Sequence, residues 1–378
     1  MDVLSRRALN RATLERQLLL ARTGAPALEV VERLAGLQAQ DPDPPYVGLW
    51  SRVTGFRHDD LTTLLYERRV VRATLYRGTQ HLVSAADYRW LRPLLEPMLE
   101  RWRRGAFGRA TPGVDPAELA ATARGLLSGG VLTRPELGRA LAERWPGADP
   151  VALARSVQGL LPVVHPPPDG TWGRRGPTPF TLADDWLGAP PATTAHATRD
   201  GAADGAAGGA VDRARELLLR YLAAFGPATV KDAQAWSGLT RLRAVADELR
   251  PRLAVFRDEE GAELLDLPEA PRPDPDTPAP VRFLAALDNV VLGHADRRRL
   301  MTDEGRRHIG VYPALLVDGF VRGLWEIRRA KGTATLEVRL FTPVTGAEEA
   351  AVAEEGERLL RFAAADAPTQ YLRLRPMD

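Results

Sequence analysis

The chain has 378 residues, 44% of them hydrophobic and 26% charged, with a formal net charge of +2 and no cysteine. That balance belongs to a folded globular protein long enough for two or three cores, and the lack of cysteine excludes disulfides, thiolate catalysis, cysteine-bound zinc and iron–sulfur clusters. No run approaches the roughly 18 apolar residues of a membrane span, and the start at Arg6, Arg7 and Arg11 lacks the apolar stretch of a secretory signal, so a cytoplasmic protein is expected.

Only Lys231 and Lys331 among the 51 basic side chains are lysine, which leaves 49 arginines. The planar guanidinium suits phosphate and guanine edges. A GC-rich coding sequence produces the same excess, so composition alone does not decide for nucleic acid.

In chain order, Leu14, Leu18 and Leu19 keep helical spacing, and an apolar run from Ala27 to Leu34 stops at Gly36. Residues 37–52 follow, where Pro42, Pro44 and Pro45 predict a loop without regular helix. Residues 60–69 read as helix, and 70–83 as a strand pair broken at Gly78-Thr79. Helix, loop, helix and hairpin is the order of a winged helix-turn-helix. It returns twice. A helix over 116–129 leads into 131–145, where Thr133, Pro135 and Glu136 form a helix start with a capping box. A helix over 150–160 and a strand–wing–strand over 160–186 complete that unit. The third unit has helix 211–225, a helix–Gly238–helix pair over 228–249 and a hairpin over 252–267 turning at Asp258 to Gly261.

The expected fold class is therefore α+β and mainly helical. It has winged-helix unit 1 at 1–110, unit 2 at 111–186, unit 3 at 211–267 and a strand-rich α+β segment at 281–378 with one helix near 346–365. Residues 187–210, rich in Ala, Gly and Thr, read as a flexible linker, and 268–280 as a stiffer proline-rich connector.

The six histidines, at 58, 81, 165, 196, 294 and 308, show no metal-ligand spacing, so no metal is expected. Neither G-x-x-x-x-G-K-[ST] nor a G-x-G-x-x-G after a strand occurs, nor a serine nucleophile elbow, so no nucleotide cofactor is expected. Gln38-Ala39-Gln40 stands out. Two amides at alternate positions of an extended segment point the same way. They cap helix ends, lie solvated, or hold one water between them, since an amide both donates and accepts. They cannot take a proton as a carboxylate does, and so suit an electrophile that is already activated.

The stretches VVERLAGLQAQDPDPPYVGLWSR, ERRVVRATLYRGTQHLVSAADY, GTWGRRGPTPFTLADDWLG and LDNVVLGHADRRR resemble the winged-helix DNA glycosylases of the AlkZ/YcaQ group, over nearly the whole chain. That group carries Gln-apolar-Gln in its AlkZ branch and Gln-apolar-Asp in its YcaQ branch, and this chain is similar to the former. Ala39 is small for the apolar position. The resemblance implies a monomeric, C-shaped clamp on double-stranded DNA in a bacterial nucleoid. It also implies hydrolysis of the N-glycosidic bond of bulky N7-alkylguanine adducts, and of interstrand crosslinks, in repair or self-resistance to a genotoxic natural product. Gln38 and Gln40 would be catalytic, with no cofactor and no lyase step, because the two lysines lie far along the chain from the Gln motif.

Arginines at turns and wings are the expected DNA contacts: Arg69, Arg72 and Arg77 at the first hairpin, Arg174 and Arg175 on the second wing, and Arg297 and Arg299 beside His294 and Asp296. His294 and Asp296 either pair to orient Arg297 or cap a helix. Thr79, Gln80 and His81 face the Gln loop, His81 as an ordinary strand histidine. Trp50 and Trp172 pack in the core or stack on DNA. A non-catalytic winged-helix regulator, or a protein that binds damage without cutting, remains the alternative at this stage.

Overall fold

The computed structural model describes residues 2–188, 204–309 and 312–377 of a mixed α+β chain. The chain opens with β1 (Val3–Leu4), α1 (Arg6–Arg16), α2 (Ala27–Arg33), β2 (Leu37–Gln38), α3 (Pro44–Trp50), α4 (His58–Tyr66), β3 (Val70–Thr74), β4 (Gln80–Ser84) and α5 (Ala85–Phe107). Next come α6 (Pro116–Leu127), β5 (Leu132–Thr133), α7 (Arg134–Arg144), α8 (Pro150–Leu160), β6 (Val163–Val164), β7 (Pro179–Leu182) and α9 (Ala183–Leu187). After them lie α10 (Asp204–Phe225), α11 (Val230–Ser237), α12 (Leu242–Leu249), β8 (Ala254–Asp258) and β9 (Glu263–Asp266). The last stretch holds β10 (Arg282–Phe283), α13 (Asn289–Leu292), α14 (Asp303–His308), β11 (Ala314–Val317), β12 (Phe320–Ala330), β13 (Thr333–Leu340), α15 (Gly346–Ala363) and β14 (Thr369–Pro376).

Three small sheets, ordered β2-β4-β3, β5-β7-β6 and β1-β8-β9, accompany the three helical groups. A five-stranded sheet, β10-β11-β12-β13-β14, closes the chain. Its last pair is parallel, which requires a crossover, and α15 supplies it. Among the described residues no helix is long and apolar enough to cross a membrane.

Two helices appear where the sequence pattern placed none. Residues 44–50 form α3 because Pro44 and Pro45 occupy its first turn, where the N–H groups have no helical partner to lose. Residues 85–107, to which the sequence pattern assigned no element, form α5 with Pro93 and Pro97 inside it. An interior proline costs about 3 kcal/mol of helix propensity. Here Leu91, Leu95, Met98 and Leu99 bury one face of α5 in the central core, and that packing overrides the local preference.

The N-terminus leaves the first unit. β1 runs parallel to β8, α1 packs on α10, and Leu14 and Leu19 join Leu284, Leu300 and Leu316 in the C-terminal core. The terminal sheet, in turn, shares one core with the first unit: Phe283, Trp325, Leu336 and Leu359 pack with Val31, Leu37, Ala39, Leu49 and Leu61. Buried ion pairs tie these parts together. Arg16 grips Asp266 through both Nη atoms at 2.6 and 2.8 Å, and Arg52 grips Asp288 at 2.9 and 2.7 Å. Helix α10 begins at Asp204, inside the stretch read as a linker, and residues 189–203 of that stretch lie outside the described residues.

Candidate active site

Gln38 sits on an edge strand. β2 pairs with β4 as Leu37↔Leu82 and Gln38↔His81, and the Ala39 N–H continues the ladder to the Gln80 carbonyl at 2.8 Å. Alternation sends Leu37 and Ala39 into the core, so the small Ala39 is a packed residue. Gln38, 8% exposed, lies on the opposite side, and Gln40 is exposed where the strand ends.

Each amide is oriented by a named donor. Arg77 Nη2 donates to Gln38 Oε1 at 3.0 Å, while Arg77 Nη1 donates to the Trp236 carbonyl at the end of α11. The amide nitrogen of Gln38 donates to no group among the described residues, and Oε1 keeps a second lone pair. Gln40 Oε1 turns back toward the Gln80 N–H at 3.4 Å, a long contact. Arg77 holds this position through a left-handed backbone, φ 58°, followed by Gly78 at φ 72°. A Cβ on Gly78 would lie 2.4 Å from the Trp102 ring, so only glycine fits the turn that aims Arg77.

Beneath the pair, His81 is 1% exposed with Nδ1 3.0 Å from the Thr79 carbonyl, a partner that places the proton on Nδ1. Burial first, then the Arg77 charge, push its pKa down to about 3, so the ring is neutral with Nε2 a bare acceptor. Nε2 of His81, the Tyr76 hydroxyl and Oε1 of Gln80 are buried without a partner among the described residues. Buried polar atoms left open in this way are where an ordered water or a ligand completes the bonding.

The main chain of the loop is held from two sides. Arg72 Nε and Nη2 donate to the carbonyls of Ala39 and Gln40 at 2.8 and 2.9 Å, and Nη1 pairs with Asp169. Asp43 accepts from the Gly173 N–H at 2.7 Å and from Arg175 at 2.7 Å. A separate cavity of about 710 Å³, whose lining includes neither glutamine, is formed by Arg6, Lys231, Asp296, Arg297 and Arg306 among others. Helix α11 connects the two places, with Lys231 at the cavity and Trp236 at Arg77. At 1.5 Å per residue these ends are roughly 7–8 Å apart along its axis. Burial and then Tyr76 and Arg297 act on the Arg77 guanidinium, with the net effect of lowering it to about 10. It stays charged at neutral pH.

Three of the expected DNA contacts are buried and bonded inside the protein. Arg72 is 3% exposed and bonded as above. Arg299 is buried and donates to Pro227 O at 3.0 Å and Thr13 Oγ1 at 3.2 Å. His294 is buried with Nε2 on the Phe225 carbonyl at 3.0 Å, and burial, then Arg299, push its pKa down to about 3. His294 does not bond Asp296, which caps the turn by accepting the Arg298 N–H at 2.9 Å and pairs with the Arg298 side chain.

Arg69 and Arg174 are exposed, Arg175 is exposed but paired with Asp43, and Arg77 is half-buried behind Gln38. Arg297 is half-buried and meets no carboxylate among the described residues, and burial, then Arg306, lower its pKa. Trp50 stacks on Phe362 and Trp172 on His58, at 5.8 and 4.4 Å between ring centres, as packing residues. Sequence reasoning missed Asp43 and Asp169, and the structural role of Arg72; only Asp169-Gly170, a turn pair, left any local signal.

The model of the DNA glycosylase AlkZ-like family matches residues 31–362. Among curated proteins the chain is 27% identical, over 342 residues, to an interstrand DNA cross-link repair glycosylase of Streptomyces sahachiroi, covering 83% of this chain and 85% of the relative. The solved structure of Streptomyces sahachiroi DNA glycosylase AlkZ superposes with a TM-score of 0.75 at 21% identity, covering 99% of this chain and 100% of that one, a likeness of fold.

Proposed function

The chain belongs to the DNA glycosylase AlkZ-like family, and on that premise we propose that it removes bulky N7-alkylguanines from double-stranded DNA by hydrolysis at Gln38 and Gln40. DNA is the partner that the family implies. The name of the Streptomyces sahachiroi relative extends the reading to interstrand crosslinks. The three helix–hairpin groups are read as winged helices of a monomeric clamp on DNA.

The observation that carries the chemistry is the Gln pair. Gln38 is fixed by a charged donor at its oxygen, its amide nitrogen is unengaged, and buried open acceptors lie alongside. N7-alkylation makes guanine a cation that departs without a general acid. As the C1′–N9 bond breaks, its electron pair neutralises the base and leaves an oxocarbenium-like sugar. Water then bonds to C1′ and releases a proton to solvent. The Gln amides orient that water and place carbonyl dipoles toward the cation. No lysine adjoins Gln38, so a Schiff base is not part of the scheme. Arg69, Arg174, Arg175 and Arg297 are the residues left to meet phosphates.

The test is a duplex carrying one N7-alkylguanine, incubated with the protein and a chelator. The reading expects free alkylguanine in solution and a strand that breaks only after alkali. Tight binding with no released base would leave a damage-binding protein instead.

A further inference from the structure

The loop carrying Gln40 is gripped from outside its own unit. Arg72 is buried on β3, and its guanidinium engages the Ala39 carbonyl, the Gln40 carbonyl and the Asp169 carboxylate at once. Asp169 belongs to the 165–175 loop between β6 and β7, part of the second helical group. In that loop Gly170, at φ 79°, lies so close that a Cβ would stand 3.2 Å from Arg72 Cδ. The same loop reaches the other end of the Gln segment, where Gly173 N–H and Arg175 both bind Asp43. Residues 39–43 are thus held at one end by Arg72, which Asp169 of that loop engages, and at the other by Gly173 and Arg175 of the same loop, 130 residues or more along the chain from Asp43.

A planar fork that meets two successive carbonyls and one carboxylate fixes direction as well as distance, which a lysine ammonium cannot do. We propose that Arg72 is a positioning residue for the reaction, and that the 165–175 loop, through Asp169 and Arg72, sets the place of Gln40. The inference rests on the function proposed above. It goes further by making the loop that presents Arg174 to solvent the same piece that holds the catalytic segment. Duplex bound at Arg174 therefore bears on the element that aligns Gln40.

The experiment compares Asp169→Asn, Arg72→Lys, Arg72→Ala and Gln40→Ala in the full chain. Single-turnover excision, affinity for undamaged duplex and hydrogen exchange of residues 37–43 are read together, with Tm as a check on folding. Asp169→Asn and Arg72→Lys are expected to slow excision by about 10- to 100-fold, the scale of a slight misplacement of a reacting group. Affinity stays unchanged and exchange in 37–43 speeds up. Added guanidinium ion restores part of the rate to Arg72→Ala. Unchanged exchange in 37–43, unchanged excision, or affinity falling in step with rate overturns the inference alone. A wild-type protein that excises nothing, or Gln40→Ala at the wild-type rate, overturns the proposed function and the inference with it.

Discussion

Replacing Arg77 by Met separates orientation of Gln38 from binding of DNA. Met keeps the unbranched stem that packs in the turn but removes the donors to Gln38 Oε1 and to the Trp236 carbonyl. A hydrogen bond to a charged group is worth about 1.5–3 kcal/mol, which holds competing amide orientations to roughly a tenth or less of the population. Without it, a side chain with three torsions spreads over several rotamers. The productive share then drops to about one in ten, so single-turnover excision should slow about tenfold. The Trp236 carbonyl, left open at the end of α11, should cost about 1–3 kcal/mol of stability. Arg77→Lys should fall between, because one ammonium does not serve two acceptors in fixed directions. Excision is followed on a duplex with one N7-alkylguanine, and affinity on undamaged duplex. A full excision rate with lowered stability would show that Gln38 needs no orienting donor. An affinity loss equal to the rate loss would make Arg77 a phosphate contact.

Asp288→Ala should lower stability by about 3–5 kcal/mol, since it strands the Arg52 charge between the first unit and the C-terminal segment; a denaturation midpoint equal to wild type would refute this. Acid should destabilise the fold through His81, His165 and His294, each pushed down to about 3 mainly by burial. The unfolded chain binds these protons near pH 6.5 and the folded one near 3, so stability is full above about pH 6.5. It falls toward pH 3 by up to about 1.4 kcal/mol per pH unit for each histidine. His165→Asn, which keeps a donor toward the Pro179 carbonyl, should flatten that slope by about one histidine's share; an unchanged slope counts against it. Arg297→Ala should weaken binding evenly across sequences and reduce the salt slope by about 1, and an unchanged slope removes Arg297 from the interface.

What the sequence disclosed was local. The capping box at Thr133 and Glu136, the left-handed Gly238 that ends α11, and α8 over 150–160 follow from contacts a few residues apart, and they stand where the pattern put them. Proline misled at α3, because tolerance in a first turn depends on where the helix begins, and α5 went unassigned, because burial of its face depends on what it meets. The Gln pair was legible only by its context. Its supports were not, because Arg72 and Asp169 are 97 residues apart. The same distance effect hid the burial of Arg72, Arg299 and His294. An arginine that joins several buried carbonyls looks, in one dimension, like one that waits for phosphate. The path of β1 and α1 away from the first unit was likewise set by partners far along the chain, β8 and Asp266 among them, the latter 250 residues from Arg16.

The central claim is that two glutamine amides, and no stronger group, direct water at the sugar. Single-turnover excision of one N7-alkylguanine by wild type, Gln38→Ala and Gln40→Ala, with chelator present and duplex affinity measured alongside, tests it most directly. The account predicts alkali-labile sites from wild type and steep loss of excision in both variants at nearly constant affinity. Excision by either variant at the wild-type rate would contradict it.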